Sequence, residues 1–223
     1  MLKKVGLIQY TCSLHVDKFE KTVGVHFVKP VANILVLNGN IGRPDKKQTY
    51  DFLNHCSRIW RHILYIPGPE ELQKEPYKNI EYMKQIFSPM KNVHILNNDS
   101  RKIGNTLFLG TSYDKYWLEK EYNKQKGLND KIVALTYDIP DTNMVHPVDS
   151  NSKQYIDIPI PKFDAWICGY IRGAHTFTYK NDMVAVYNAR GKIDGKNDFS
   201  QKLGWSRSLT IDITSNTEVK HFP

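Results

Sequence analysis

The sequence predicts an α/β protein, and three observations lead to this fold class. Short apolar runs of strand length alternate with amphipathic helical segments along the chain. Several of these runs end in a loop that contains glycine, as expected at the carboxyl ends of strands in an α/β sheet. The 223 residues are enough to bury a core, and no internal repeat or interdomain linker divides them. We therefore expect one domain over residues 1–223.

Hydrophobic periodicity locates the individual elements. Apolar runs predict strands over residues 5–12, 34–37, 63–66, 106–109, 132–136, 165–169 and 209–213. Apolar residues at helical spacing predict one helix over 46–58, which begins at Asp45, and a second over 77–87. A polar helix is predicted over 114–124.

The second half of the chain carries the turn and loop signals. Residues 176–180 and 183–187 flank Asn181-Asp182 and predict a β-hairpin. The polar, proline-containing stretch 141–161 predicts a long surface loop. We expect the polar tail 214–223 to fray.

Composition excludes several classes of protein. The formal net charge is +8, but the lysines are scattered, which argues against a nucleic-acid interface and leaves an acidic protein partner open. Three cysteines without a C-x-x-C pair argue against a disulfide framework and for a reducing compartment. No run approaches the roughly 20 apolar residues of a membrane span. These features predict a cytoplasmic protein.

Three glycine-containing loops follow predicted strands, namely Asn38-Gly39-Asn40, Pro67-Gly68-Pro69 and Cys168-Gly169-Tyr170. Ligand sites of α/β sheets lie at the carboxyl ends of strands, so we expect these loops to converge. A tight turn alone would also explain each glycine.

Taken in order, these loops resemble the calcineurin-like metallophosphoesterase superfamily. Its motifs run D-x-H, G-D, G-N-H-D/E, a lone His and G-H-x-H, followed by an N-P-R-G turn. The similar segments here are residues 8–17, 34–42, 65–71, 135–140, 166–172 and 187–191, with Phe108-Leu109-Gly110-Thr111 between the third and fourth. The resemblance spans about Val5 to Gly191 and is strongest to phosphoesterase-like proteins of large DNA viruses. It implies a four-layer αββα sandwich of two mixed β-sheets flanked by helices.

The same resemblance implies that the metal site is degenerate. Only the first His of eight ligand or catalytic positions is kept. In family order these positions hold Ser13, His15, Asn40, Pro69, Glu70, Tyr137, Tyr170 and Arg172. Two divalent metals need a bridging carboxylate, which Asn40 cannot supply, and Pro69 has no donor atom in its side chain. Arg172 adds a fixed positive charge.

We therefore predict a pseudoenzyme with no catalytic residue, no bound metal and no cofactor. Its role would be structural or in binding an unidentified protein, in the host cytoplasm or the virion if the protein is viral. We further expect Tyr137 and Tyr170 to fill the vacated cavity, and Arg172 to pair with Glu70 or Asp138.

Two alternatives stay open at this point. A relocated single-metal phosphoesterase could use residues near the old site, namely His15, Asp17, Glu70, Asp138 and His175. Alternatively, His15, Arg172 and Arg190 could hold a phosphate or nucleotide without cleaving it. The simpler interpretation is that His15 is a hydrogen-bonded structural residue, that His175 lies in a loop and that the arginines are surface residues.

Overall fold

The computed structural model describes residues 6–19, 27–73, 76–140, 161–170, 173–178, 183–191, 205–214 and 218–220. Within these ranges the strands are β1 Leu7–Thr11, β2 Ile34–Asn38, β3 His62–Ile66, β4 Val93–Ile95, β5 Asp99–Ile103, β6 Thr106–Thr111, β7 Lys131–Thr136, β8 Ala165–Cys168, β9 Gly173–Thr178, β10 Val184–Ala189, β11 Thr210–Asp212 and β12 Glu218–Lys220. The helices are α1 Lys47–Ser57, α2 Pro69–Leu72, α3 Pro76–Ile86 and α4 Lys115–Gln125, with a 3₁₀ turn over Val16–Lys18.

The strands form two mixed six-stranded sheets. The first has the order β12-β11-β1-β2-β3-β4, and the second has the order β5-β6-β7-β8-β10-β9. Strands β1 to β4 run parallel, and β11 joins β1 antiparallel. In the second sheet β6, β7, β8 and β10 run parallel, and β5 and β9 pair antiparallel at the edges. Parallel strands put their carboxyl ends at one edge of each sheet.

Three buried clusters show how the layers pack. The central cluster lies between the sheets and contains Val36 and Leu64 from the first sheet and Val133 and Ile167 from the second. A second cluster packs helices α1 and α3 on the outer face of the first sheet. A third packs α4, through Leu118, on the outer face of the second sheet. The order helix, sheet, sheet, helix confirms the predicted αββα sandwich.

Two buried asparagines link the sheets through side-chain hydrogen bonds. The amide nitrogen of Asn38, at the end of β2, donates to the Ile167 carbonyl of β8 over 2.7 Å. The amide nitrogen of Asn188, in β10, donates to the Tyr10 carbonyl of β1 over 3.0 Å. Both side chains are buried, so the donated hydrogen bonds avoid the cost of an unpaired amide nitrogen. The Oδ1 atom of Asn38 has no hydrogen-bond partner among the described residues. The two donated hydrogen bonds fix the carboxyl edges of the two sheets against each other.

Most predicted elements are present, with some corrections. Helix α1 begins at Lys47 rather than at Asp45, which instead pairs with Arg43. The hairpin is confirmed as β9 and β10, although β9 begins earlier than predicted and residues 179–182 lie outside the described ranges. The tail was expected to fray, but β12 pairs with β11 there.

Strands β4 and β5 were not predicted. Residues 141–160 of the expected surface loop lie outside the described residues. Among the helices that are described, none is long and apolar enough to cross a membrane.

Candidate functional site

The three glycine loops meet at the carboxyl edge of the sheets, as predicted. Gly39 has φ +69°, and a Cβ added there would lie 2.4 Å from Cδ2 of Tyr137 and 2.9 Å from the Cα of Gly68. A Cβ on Gly169 would lie 2.5 Å from the Asn38 carbonyl oxygen. Only glycine fits such close backbone contacts, so the loops after β2, β3 and β8 form one compact cluster.

Backbone hydrogen bonds join the loop after β1 to the loop after β2. The amides of Ser13, His15 and Val16 donate to the carbonyls of Gly39, Asn40 and Ile41 at 2.9, 3.0 and 2.7 Å. Ser13, His15 and Asn40 have φ values of 51°, 49° and 51°, and Tyr170 has φ 69°. The left-handed region is unfavourable for residues other than glycine and is typical of functional loops. Ser13, His15 and Tyr170 therefore sit on a strained backbone, whereas Asn40 is a residue type that tolerates this conformation.

Asn40 has both ends of its side-chain amide bound by other residues. Its Nδ2 donates to the phenolic oxygen of Tyr137 over 3.0 Å, and its Oδ1 accepts from the backbone amide of Glu70 over 3.2 Å. Asn40 thus joins the end of β2 to helix α2 and to the loop after β7. Its amide oxygen is already a hydrogen-bond acceptor within the protein.

Tyrosine rings cover this part of the site. Tyr137 is 4% exposed, and its ring meets Tyr170 edge-on at a centroid distance of 5.7 Å. It also meets Tyr113 edge-on at 5.9 Å. Burial raises the pKa of Tyr137, and the neighbouring Tyr113 raises it further, so the phenol stays protonated. Tyr137 therefore occupies the interior of this loop cluster, while Tyr170 is half-buried and Tyr113 is exposed.

The side chain of His15 contacts a glutamate 55 residues further along the sequence. Its Nδ1 lies 2.8 Å from Oε2 of Glu70, and the histidine is 3% exposed. An ionised carboxylate only accepts hydrogen bonds, so with Glu70 ionised Nδ1 carries the proton of this contact. Asp17, also buried, lies 3.3 Å from Nζ of Lys18 through its Oδ2. The predicted partner of Glu70, Arg172, lies outside the described residues.

Glu71 is a fully buried carboxylate surrounded by donors. It accepts five hydrogen bonds. Four come from backbone amides, those of Asn40 (2.9 Å), Ile41 (2.7 Å), Gly42 (3.2 Å) and Gly68 (2.9 Å), and the fifth comes from the Tyr65 hydroxyl (2.8 Å). Burial raises the pKa of Glu71, and these hydrogen bonds oppose the rise. Burial and the adjacent Glu71 raise the pKa of Tyr65 well above its ordinary value, which keeps it a donor. Glu71 thereby ties α2 to the loop after β2.

Sequence reasoning did not single out Glu71 or Tyr65. The signal was nonetheless present, because Glu71 stands three residues after Gly68, at the third position of helix α2. An acidic residue there caps the first turn of a helix. It also stands at the acidic position that closes the G-N-H-D/E motif, so the third motif keeps its acidic last residue.

The remaining candidates lie in different surroundings. The Arg190 guanidinium is buried among aromatic rings, 4.9 Å from the centroid of Phe19 and 4.8 Å from that of Phe27. His175 lies on strand β9 rather than in a loop, and its ring contacts Phe177 and Tyr187.

Pro69 is exposed and opens helix α2, next to Glu70. Asp138 follows Tyr137, and burial raises the pKa of its carboxyl, an effect that Lys115 opposes.

The loop cluster supplies few donors for a metal ion. Across the described ranges, no group of three or more His, Cys, Asp or Glu side chains is arranged to hold one. The side chains at this edge instead bond to each other, as in the pairs Asn40–Tyr137 and His15–Glu70. The described residues of this edge therefore do not fit a pair of divalent cations, which needs carboxylate and imidazole ligands on both ions.

Solved structures show which fold this is. A crystal structure of TT1561 from Thermus thermophilus aligns with a TM-score of 0.58 at 13% identity, covering 97% of this chain and 99% of that one. A putative 5'-nucleotidase from Staphylococcus aureus, in complex with alpha-ketoglutarate, aligns with a TM-score of 0.54 at 10% identity, covering 82% of this chain and 48% of that one. The chain has the calcineurin-like metallophosphoesterase fold.

The sequence is similar to one viral protein. It is 25% identical over 130 residues to the uncharacterized protein L509 of Acanthamoeba polyphaga mimivirus, a match that covers 56% of this chain. The chain spans only 43% of the length of that relative. No protein-family model matches the chain.

Proposed function

We propose that this chain is a catalytically inactive relative of the metallophosphoesterases, with a structural or protein-binding role. The observation that carries the proposal is the arrangement of Asn40. In the enzymes a bridging carboxylate neutralises two dications, whereas a neutral amide cannot. Here that amide has its nitrogen bonded to Tyr137 and its oxygen bonded to the Glu70 amide.

The neighbouring positions support the same proposal. Pro69 offers no side-chain donor atom, and Tyr137 contributes a phenol of raised pKa, which is a poor ligand while it stays protonated. The metal-binding aspartates are replaced by Ser13 and Asn40, so no uncompensated carboxylate is left at either position. The replacements are mutually consistent, since each new side chain is compatible with a site that lacks cations.

The test measures metal and turnover on one sample. The purified chain is incubated with Mn²⁺ and dialysed, and its metal content is measured by elemental mass spectrometry. Hydrolysis of bis-p-nitrophenyl phosphate is then assayed on the same sample, beside an active metallophosphoesterase as a control. We expect neither bound metal nor turnover. Near-stoichiometric metal with turnover, both lost in His15→Ala, would show a relocated active site and overturn the proposal.

We propose an acidic protein as the partner, in the cytoplasm of an infected cell or in a virion. The net charge of +8 supports this choice, because a basic protein associates faster with an acidic surface. The viral relative supports the setting. A partner identified by proximity labelling should bind the purified chain less tightly as salt is raised. Binding that does not depend on salt would contradict the charge-based choice.

A further inference from the structure

Basic side chains lie where the edge strands β4 and β5 border the gap between the sheets. His62 and His94 are partly buried there, and Arg101 is exposed. His62 opens β3 and lies on the same side of the sheet as Leu64, which pairs with His94 in β4. Leu64 belongs to the cluster between the sheets, so both histidines face the second sheet. Arg101 pairs with Phe108, which belongs to the same cluster, and therefore faces the first sheet.

The two histidine rings lie close together. The rings of His62 and His94 are nearly parallel, with centroids 6.3 Å apart and an interplanar angle of 28°. Burial lowers the pKa of His62, and the charges of Arg61 and Arg101 lower it further. Burial, Arg101 and His62 lower the pKa of His94 to about 4. Both histidines therefore lie within the field of an arginine that belongs to the opposite sheet.

This positive charge is not matched by an ion pair in the described part of the chain. Neither Arg61 nor Arg101 forms an ion pair there, whereas Arg43 pairs with Asp45. Asp99 lies two residues from Arg101 on the same side of β5, and its Oδ1 accepts a hydrogen bond from the Ser100 amide. The Nδ1 atom of His62 is buried and has no hydrogen-bond partner among the described residues. Buried polar atoms are normally paired, so this nitrogen is available to bind a ligand.

We propose that His62, His94 and Arg101 form a binding site for a phosphate dianion, either free or as the end group of a monoester. The Arg101 guanidinium matches the oxygens of phosphate, and each imidazole can add a donor. A bound dianion would also stabilise the protonated rings, which the charge of Arg101 otherwise disfavours. The site lies away from the loops that carry Glu71 and does not rest on the proposed function.

The experiment uses inorganic phosphate as the probe, with chloride at matched ionic strength as the reference. We expect phosphate to raise the melting temperature of the full chain in a saturable way. In NMR titrations the ring signals of His62 and His94 should titrate at higher pH when phosphate is present. Arg101→Gln and His94→Gln should each weaken binding about tenfold or more, the effect of losing one charge-assisted hydrogen bond.

Two control variants decide where the anion binds. Lys102→Gln removes the same charge from the adjacent, exposed residue on the other side of β5, and it should keep wild-type affinity. His15→Gln alters the loop cluster at the carboxyl edge and should also keep it. If Lys102→Gln weakens binding as much as Arg101→Gln, phosphate responds only to the net charge of the protein and the proposal fails. If only His15→Gln removes binding, the anion binds at the carboxyl edge and the proposal also fails.

A second probe separates the two sources of phosphate. A nucleoside monophosphate that binds no tighter than inorganic phosphate identifies the free anion as the ligand. Binding that is tighter by about tenfold, and still lost in Arg101→Gln, identifies a monoester. Failure of either probe leaves the metal and turnover assays of the proposed function unaffected, so the two proposals are tested independently.

Discussion

The side-chain amide nitrogen of Asn40 lies 3.0 Å from the phenolic oxygen of Tyr137 and donates to it. This contact joins the loop after β2 to the loop after β7, two loops that carry metal ligands in the enzymes this fold resembles. The two loops are therefore held together by a hydrogen bond between two neutral side chains.

Restoring one carboxylate should not restore the metal site. Asn40→Asp keeps the size of the side chain, and its oxygens can accept from both the Tyr137 hydroxyl and the Glu70 amide. We expect a folded protein, destabilised by about 1 kcal/mol because the new charge lies near Glu71, with no metal after dialysis. Asn40→Ala is the control, and it should cost about 2 kcal/mol through two lost hydrogen bonds. Metal uptake with turnover in Asn40→Asp would argue against an inactive site.

Glu71 should be the most sensitive polar residue of this cluster. In Glu71→Gln one oxygen becomes an NH₂ group that faces backbone donors, so at least two buried amides lose their acceptor. We expect the free energy of unfolding to fall by about 3–5 kcal/mol, measured by urea denaturation. The matched control is Glu81→Gln on α3, where the glutamate side chain is 75% exposed, and it should change stability by less than about 0.5 kcal/mol. Equal effects of the two substitutions would show that the five hydrogen bonds contribute little.

The left-handed backbone of His15 predicts an unusual order among its variants. His15→Ala removes the contact with Glu70 and keeps the strain of φ 49°. His15→Gly removes the same contact but relieves the strain, since glycine adopts positive φ readily. We therefore expect the Gly variant to be more stable than the Ala variant by about 1 kcal/mol in denaturant titrations. The opposite order would show that the backbone at this position is unstrained.

The histidine pair between the sheets predicts an acid-sensitive fold. The pKa of His94 is lowered to about 4 in the folded state, against about 6.5 in the unfolded chain, so the unfolded chain takes up protons first. The free energy of unfolding should have its full value above about pH 6.5 and should decline as the pH falls toward 4. The loss is about 1–2 kcal/mol, since solvent screens the half-exposed pair.

The measurement is urea denaturation across this pH range in phosphate-free buffer. His94→Gln should flatten the decline, and Lys102→Gln should keep the wild-type slope. An unchanged slope in His94→Gln would assign the acid sensitivity to other groups.

Local signals in the sequence predict the central strands and the meeting of the glycine loops. The apolar runs that form β2, β3 and β7 are buried in the structure, and hydrophobic periodicity detects such runs directly. The missed strands have no such signal. Strand β5 is polar and almost wholly exposed, and β4 has only three residues, so each exists because a neighbouring strand pairs with it.

The side-chain contacts of the site are harder to predict from the sequence than the strands are. The motif positions predict which side chains stand at the edge, including Asn40 and Tyr137. They do not predict that Glu70 contacts His15, because that contact depends on how two loops 55 residues apart are oriented. The environment of Glu71 likewise depends on backbone amides from another loop, which no residue type encodes.

The buried amide of Asn38 also affects the chemical ageing of the protein. Asparagine followed by glycine, as in Asn38-Gly39, is prone to deamidation, because the small glycine lets its backbone nitrogen attack the side chain. In the folded chain the Asn38 amide is 1% exposed and bonded to the Ile167 carbonyl, which restrains this attack. Once deamidated in an unfolded interval, residue 38 would present a carboxylate to a carbonyl oxygen and lose this link between the sheets. Each unfolded interval can therefore convert residue 38 irreversibly to a carboxylate, which hinders refolding.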